Sequence, residues 1–204
     1  MTPKVVCIIQ ARMASRRFPG KVLEQIKGLE VIRHVFRRVE QTGYETTVAV
    51  ALTEKDDAGP LLSLVDVQKD AIEMPEDDVL GRYAACAREC EADVVVRITG
   101  DCPLVDPVAI QGQVKRLLDT GAMYVSNIYP VRTVPSGFDV EVFTATALYV
   151  ADALATWAHD REHVTPWIQR MFCVQASNDV PLPHLSLDTP EDLALIRQVA
   201  EKMP

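Results

Sequence analysis

Asp93-Val94-Val95-Val96-Arg97-Ile98-Thr99-Gly100-Asp101-Cys102-Pro103 reads as a strand that stops on a tight turn. Four of its residues are β-branched and apolar, and they barely alternate with polar ones, which is the pattern of a strand covered on both faces. Gly, Asp and Pro in the next four positions break the extended run. Val5–Gln10 is a second run of this kind, and Thr46–Leu52 is an alternating third. Helical patterns lie between them. Glu30 to Thr42 carries Val31, Ile32, Val35, Phe36 and Val39 on one face, Arg33, Arg37 and Arg38 on the solvated one, and closes on Gly43. Further helices are expected over Asp57–Val65, Asp78–Glu91 and Pro107–Thr120, the last with Pro in its first turn and Gly121 behind it. A short strand is expected over Val67–Ile72. Strands alternating with helices predict an α/β fold of three layers around a mostly parallel sheet.

The second half changes character. Tyr124–Ile128 and Phe138–Phe143 read as strands joined through Pro130, Pro135 and Gly137, a small antiparallel excursion. Helices over Ala145–Leu154 and Arg161–Met171 follow, then strands near Phe172–Ala176 and Leu185–Leu187. The last helix starts at Thr189-Pro190-Glu191-Asp192, with Thr189 as N-cap, Pro190 at the first helical position and Asp192 as the reciprocal capping partner. There is no internal repeat and no linker-like stretch, so residues 1–204 are read as a single domain.

Composition narrows the function. Of 204 residues, 48% are hydrophobic and 25% charged, which excludes disordered and low-complexity classes. The net charge of -8 argues against a nucleic-acid-coating protein, which needs a broad basic surface. No apolar run reaches the ~18–20 residues that cross a bilayer, so no membrane association is expected. Val5–Ile9 is too short for a signal-peptide core. The five cysteines, Cys7, Cys86, Cys90, Cys102 and Cys173, include no Cys-x-x-Cys pair; free buried thiols and a cytoplasmic location are expected. Against this background residues 1–40 hold nine Lys or Arg and three Glu, a local charge of +6. Such a segment in an acidic chain suits a small anionic ligand.

The cations concentrate after the first strand, in Ala11-Arg12-Met13-Ala14-Ser15-Arg16-Arg17-Phe18-Pro19-Gly20-Lys21. Backbone amides of such a loop can cradle phosphate oxygens, with Arg forks and a Lys point charge compensating them. It is no P-loop, because Lys21 is followed by Val22, and no Gly-x-Gly-x-x-Gly occurs in it. Residue types alone leave a phosphate site and a merely basic surface loop both open. They leave Asp101 and Asp188 open too. Each follows a strand at the edge where open sheets bind ligands, but residue types alone favour a turn acid bonding nearby backbone at Asp101 and an ordinary strand-end acid at Asp188.

The loop resembles the signature of the sugar cytidylyltransferases, which activate octulosonic and sialic-type acids as CMP-sugars. It is most similar to the subgroup named after spore coat polysaccharide biosynthesis protein F, also described as acylneuraminate cytidylyltransferase-like. The similarity continues in Glu76-Asp77-Asp78-Val79-Leu80-Gly81-Arg82-Tyr83, Val96 to Leu104, Tyr124-Val125-Ser126-Asn127, Gly137 to Phe143, Glu162-His163-Val164-Thr165-Pro166 and Leu187 to Leu193. The Ala51–Asp57 segment departs from it.

The resemblance implies a nucleotide-diphospho-sugar transferase-like Rossmann variant. It implies a Mg²⁺-dependent enzyme that joins CMP from CTP to a sialic-type (nonulosonic) sugar acid and releases pyrophosphate, in polysaccharide or glycan biosynthesis. Asp101 and Asp188 would hold Mg²⁺, which suits hard carboxylate ligands. Ala11, Arg12, Ser15, Arg17, Lys21, Arg82, Thr99 and Asp101 would bind the nucleotide, with Arg12, Lys21 and Asp101 acting in catalysis. Asp139, Glu141, Arg161, Glu162 and His163 would face the sugar or a partner subunit, making 124–171 a sugar-binding or dimerisation region of a homodimer; residue types alone leave a structural ion-pair cluster equally open for these five. Two other readings stand beside it: a nucleotidyltransferase using another nucleotide or a sugar phosphate, and a nucleotide-binding subunit without turnover. Asp101, Asp188 and Lys21 argue against the last.

Overall fold

In a computed structural model that describes residues 2–13, 15, 17–50, 78–173 and 185–202, a five-stranded sheet forms the middle layer. Its strands are β1 (Val5–Ala11), β4 (Glu45–Val50), β5 (Val94–Thr99), β6 (Tyr124–Ser126) and β7 (Glu141–Thr144), in the order β4-β1-β5-β7-β6. β2 (Gln25–Ile26) and β3 (Leu29–Glu30) form a separate two-stranded hairpin. β1 pairs in parallel with both β4 and β5, while β7 is antiparallel to β5 and β6, so β7 alone runs against the other four. The sheet is mostly parallel with a small antiparallel excursion, as the sequence pattern predicts.

Alternating side chains of the central strands feed two cores. Cys7, Ile9, Val96 and Ile98 face α1 (Val31–Glu40) and, as the chain continues, α3 (Pro107–Thr120). Val6, Ile8 and Val95 face α2 (Val79–Glu89), α4 (Ala145–Leu154) and α6 (Pro166–Phe172). Burial on both faces explains why β1 and β5 read as continuous apolar runs. A third cluster joins Ile26 and Val31 to Leu104, Leu187 and α7 (Pro190–Lys202), which ties the C-terminal helix to the hairpin after β1. Arg197 reinforces this by donating to the Gln25 carbonyl at 2.6 and 2.9 Å.

Several expectations are corrected. The single helix over Arg161–Met171 is two helices, α5 (Ala158–His163) and α6, broken where Val164 takes a positive φ of 70° ahead of Pro166. The strand over Phe138–Phe143 begins only at Glu141, because Asn127 takes the Val140 amide and the Phe138 carbonyl with its side chain. Leu185–Leu187 is not a strand; its amides reach the Ser136 and Asp101 carbonyls singly, at 2.8 and 2.9 Å. Phe172 belongs to α6, while 174–176, the departing segment 51–57 and the elements expected over 57–65 and 67–72 lie outside the described residues. All five cysteines are free, and four are buried. No helix among the described residues is long and apolar enough to cross a membrane.

Candidate active site

β1 and β5 lie side by side, and the chain leaves their carboxyl ends in opposite directions along the sheet, toward β4 and toward β6 and β7. A switch of this kind opens a crevice beyond the strand ends. Here it is a cleft of about 380 Å³, lined by Gln10 and Ala11 from β1, Thr99, Gly100 and Asp101 from the end of β5, and the cationic loop. The register sets Gln10 opposite Thr99, and the Gly100 amide closes onto the Gln10 carbonyl at 2.8 Å.

The cationic loop folds on itself to enter this cleft. The amides of Ser15 and Gly20 both donate to the Met13 carbonyl at 3.0 Å, and the Phe18 amide donates to Ser15 Oγ at 3.4 Å. A 3₁₀ turn, Lys21–Leu23, comes next and buries the Lys21 side chain. Arg12, Ser15, Arg17 and Lys21 all line the cleft, with Arg12 and Arg17 exposed.

Asp188 arrives from the far end of the chain. The Leu187 amide donates to the Asp101 carbonyl at 2.9 Å, which lays the two acid-bearing turns against each other. The capping box then fixes the start of α7. Asp192 accepts from the Thr189 amide at 2.8 Å, and Thr189 Oγ1 accepts from the Asp192 amide at 3.3 Å. The Asp188 amide also donates to Asp192, at 3.1 Å.

Lys21 Nζ therefore meets both acids, Asp101 Oδ2 at 2.5 Å and Asp188 Oδ1 at 3.2 Å, and Arg17 reaches Asp188 Oδ1 at 2.9 Å. The ammonium is 11% exposed and each carboxylate about twice that, so these charge-assisted bonds are only partly screened. Two carboxylates converging on one cation are also an oxygen donor pair for a hard divalent ion, which commonly completes its shell with phosphate and water. The neighbouring Cys102 thiol does not compete for such a role. Its burial, and then the Asp101 charge, push its pKa well above the usual thiol range, so it stays protonated. No group of three or more His, Cys, Asp or Glu side chains among the described residues could hold a metal ion.

The sequence profile described as cytidylyltransferase matches residues 6–203. The chain belongs to the cytidylyltransferase family. Spore coat polysaccharide biosynthesis protein SpsF of Bacillus subtilis is 27% identical over 213 residues, 97% of this chain and 87% of that protein. A 3-deoxy-manno-octulosonate cytidylyltransferase of Trichlorobacter lovleyi is 36% identical over 117 residues, 56% of this chain and 45% of that protein. The structure of a cytidylyltransferase from Leptospira borgpetersenii superposes with a TM-score of 0.86 at 26% identity, covering 99% of this chain and 88% of that one. This cytidylyltransferase is thus a nucleotidyltransferase of the SpsF and octulosonate-enzyme type.

Of the nucleotide-side residues named from sequence, Ala11, Arg12, Ser15, Arg17, Lys21, Thr99 and Asp101 line the cytidylyltransferase's cleft. Arg82 does not; it is buried on α2 at 2% exposure. On the sugar side only Glu162 lines the cleft. Asp139 holds Arg132 with two bonds of 2.6 and 2.9 Å, and Glu141 holds Arg97 at 2.6 Å. Arg161 forks onto Asp78 at 2.7 and 2.8 Å. His163 is exposed and packs edge-on against His159, with ring centroids 4.5 Å apart; burial and the His159 charge lower its pKa. The Gln10 side chain, at the end of an apolar strand, carries no signal of its own in the sequence, and its pairing with Thr99 puts it at the cleft.

Proposed function

We propose that this cytidylyltransferase transfers CMP from CTP to a hydroxyl of a sialic-type or related 3-deoxy sugar acid and releases pyrophosphate. The observation that carries the proposal is the convergence of Lys21, Asp101 and Asp188 at the switch-point cleft. Arg12, Arg17 and Lys21 compensate the triphosphate, with Ser15 and loop amides assisting. Ala11 and Thr99 border the nucleoside. Asp101 and Asp188 would hold Mg²⁺, which supplies charge neutralisation at the phosphates when bound. Positioning and electrostatic stabilisation then dominate the rate.

Residues 1–204 act in this reading as one nucleotidyltransferase unit, and 124–171 forms the acceptor side. The ion pairs of Asp139, Glu141 and Arg161 stiffen that region, with His163 at its surface. The same region supports a homodimer, since Leu154, Trp157 and Met171 are exposed on it by 59–67%. Trp157 is accordingly assigned to an interface rather than to the core.

The test is pyrophosphate release from CTP, UTP, ATP and GTP with Mg²⁺ and a panel of octulosonic and nonulosonic acids. Release with CTP and one of the acids, abolished by a chelator and by Asp101→Asn, is the expected result. Preference for another nucleotide, or no release with any acid, overturns the reading. Sedimentation velocity tests the dimer.

A further inference from the structure

The cleft holds three carboxylates, and two are committed. Asp101 bonds Lys21, and Asp188 bonds Lys21 and Arg17. The third, Glu162, makes no hydrogen bond or ion pair among the described residues, although Asp160 and Arg161 before it in its helix do. Asp160, buried at 1% exposure, accepts from Arg170 at 2.6 Å. Arg161 is anchored on Asp78, on the Asp152 carbonyl at 2.7 Å and on the Asp152 carboxylate at 3.0 Å.

The end of α5 is fixed as firmly. Val164 donates its amide to the Asp160 carbonyl at 3.1 Å, buries its side chain completely and adopts φ 70°, ψ -58°. A β-branched residue at positive φ is a true outlier, held there by its surroundings. A helix anchored through Asp160, Arg161 and Val164 thus presents to the cleft one carboxylate that no hydrogen bond or ion pair among the described residues engages.

Transfer of CMP to a hydroxyl needs a proton acceptor. The other cleft side chains are Gln10, Ala11, Arg12, Ser15, Arg17, Lys21, Val22 and Thr99 beside the two engaged aspartates, and none of them offers an uncommitted base. We infer that Glu162 is the general base of the transfer step. The inference rests on the cytidylyl-transfer reading given above. As the acceptor oxygen forms its bond to the α-phosphorus, its O–H bond breaks and the proton passes to the Glu162 carboxylate. The bond from the α-phosphorus to the bridging oxygen breaks, and its electron pair leaves with pyrophosphate. Glu162 returns the proton to solvent before the next turnover.

The experiment uses the full chain with CTP, Mg²⁺ and the acid on which the wild type turns over. Glu162→Gln and Glu162→Ala are expected to lower kcat by about 10²–10⁴-fold. CTP affinity, measured by calorimetry, is expected to stay at the wild-type level, which also reports an intact cleft. Added formate is expected to restore turnover to Glu162→Ala in proportion to its concentration and to leave the wild type unchanged. Wild-type turnover in Glu162→Ala overturns the inference, and so does a loss that formate does not repair. A wild type that releases no pyrophosphate with any acid overturns the transfer reading itself, so the two failures are distinct.

Discussion

Arg97 and Glu141 sit directly opposite each other across the β5–β7 ladder, and their side chains meet at 2.6 Å. Glu141 is 2% exposed, and its other oxygen accepts from Tyr124 at 2.7 Å and from Gln169 at 3.1 Å. Burial works against the charge of Arg97, but the Glu141 carboxylate outweighs it and holds the guanidinium above its ordinary pKa. Burial, and then the same carboxylate, push the Tyr124 hydroxyl up. The pair joins three elements, β5, β7 and β6, to α6.

Removing one member of such a pair strands the other charge. Glu141→Ala is expected to cost about 3–5 kcal/mol, read as a shift in the urea midpoint. Glu141→Gln, whose amide oxygen still accepts from Tyr124, should cost less. Equal stability of Glu141→Ala and wild type would show that the pair carries no structural weight.

Asp78 links stability to acid. It caps α2 by accepting from the Gly81 amide at 3.0 Å and also holds Arg161. Burial pushes its carboxyl up, but the Arg161 and Gly81 bonds and the Arg161 charge outweigh this and hold it below the usual carboxylate range. A depressed folded pKa means that the unfolded chain takes up the proton first as pH falls. The stabilisation is therefore complete above the ordinary carboxylate range and disappears as pH drops through the depressed value. Thermal melts between about pH 6 and pH 2 should show the wild type losing its advantage over Asp78→Asn as the medium becomes acid. An advantage that does not change with pH would contradict this assignment.

Lys21 stands where its two acids would otherwise repel each other. Lys21→Ala is expected to lower Tm in the presence of a chelator, and Mg²⁺ should recover more of it than it adds to the wild type, because a ligand of the native state stabilises it. Turnover should fall by about 10²–10³-fold even with Mg²⁺ present. A Tm of Lys21→Ala that ignores Mg²⁺ would remove the two aspartates as a cation site.

Local chemistry made much of this legible in the sequence. β1 and β5 announce themselves because both their faces are buried. The last helix is signalled by a capping box that forms as expected, and α3 by Pro107 in its first turn and by Gly121, which takes a positive φ; the Asp106 carboxylate that accepts from the Val108 amide at 2.9 Å is added by the structure. The α5–α6 break was hidden, because Val164 takes a conformation that its residue type opposes and only tertiary packing enforces. For Asp139, Glu141 and Arg161 the sequence leaves a sugar site and a structural ion-pair cluster both open, because an acid that meets its cation across a ladder or between helices looks, in sequence, like an acid waiting for a ligand; the structure shows the ion pairs. Lys21 and the two aspartates stand out only through the family resemblance, and their meeting depends on contacts spanning 80 and 167 residues.

Gly137 tests how Asp188 is seated. Its φ is 95°, and a Cβ there would lie 2.3 Å from the Leu185 carbonyl oxygen and 2.4 Å from the carbonyl carbon. The segment it touches is held by the bond from the Leu185 amide to the Ser136 carbonyl, a Ser136–Ser186 hydroxyl contact of 3.1 Å and the bond from Leu187 to Asp101. Backbone cannot yield as a flexible side chain does, so Gly137→Ala must push residues 185–188 outward and draw Asp188 away from Lys21. The expected outcome is a loss of turnover approaching that of Asp188→Asn, with about 1–3 kcal/mol of destabilisation and an unchanged far-UV circular dichroism spectrum. Gly112→Ala is the matched control. Gly112 lies inside α3 with open space where its Cβ would go, and the exchange should stabilise the protein by up to about 1 kcal/mol without touching turnover. If Gly137→Ala keeps full activity, the close approach of Leu185 to Gly137 does not set the position of Asp188.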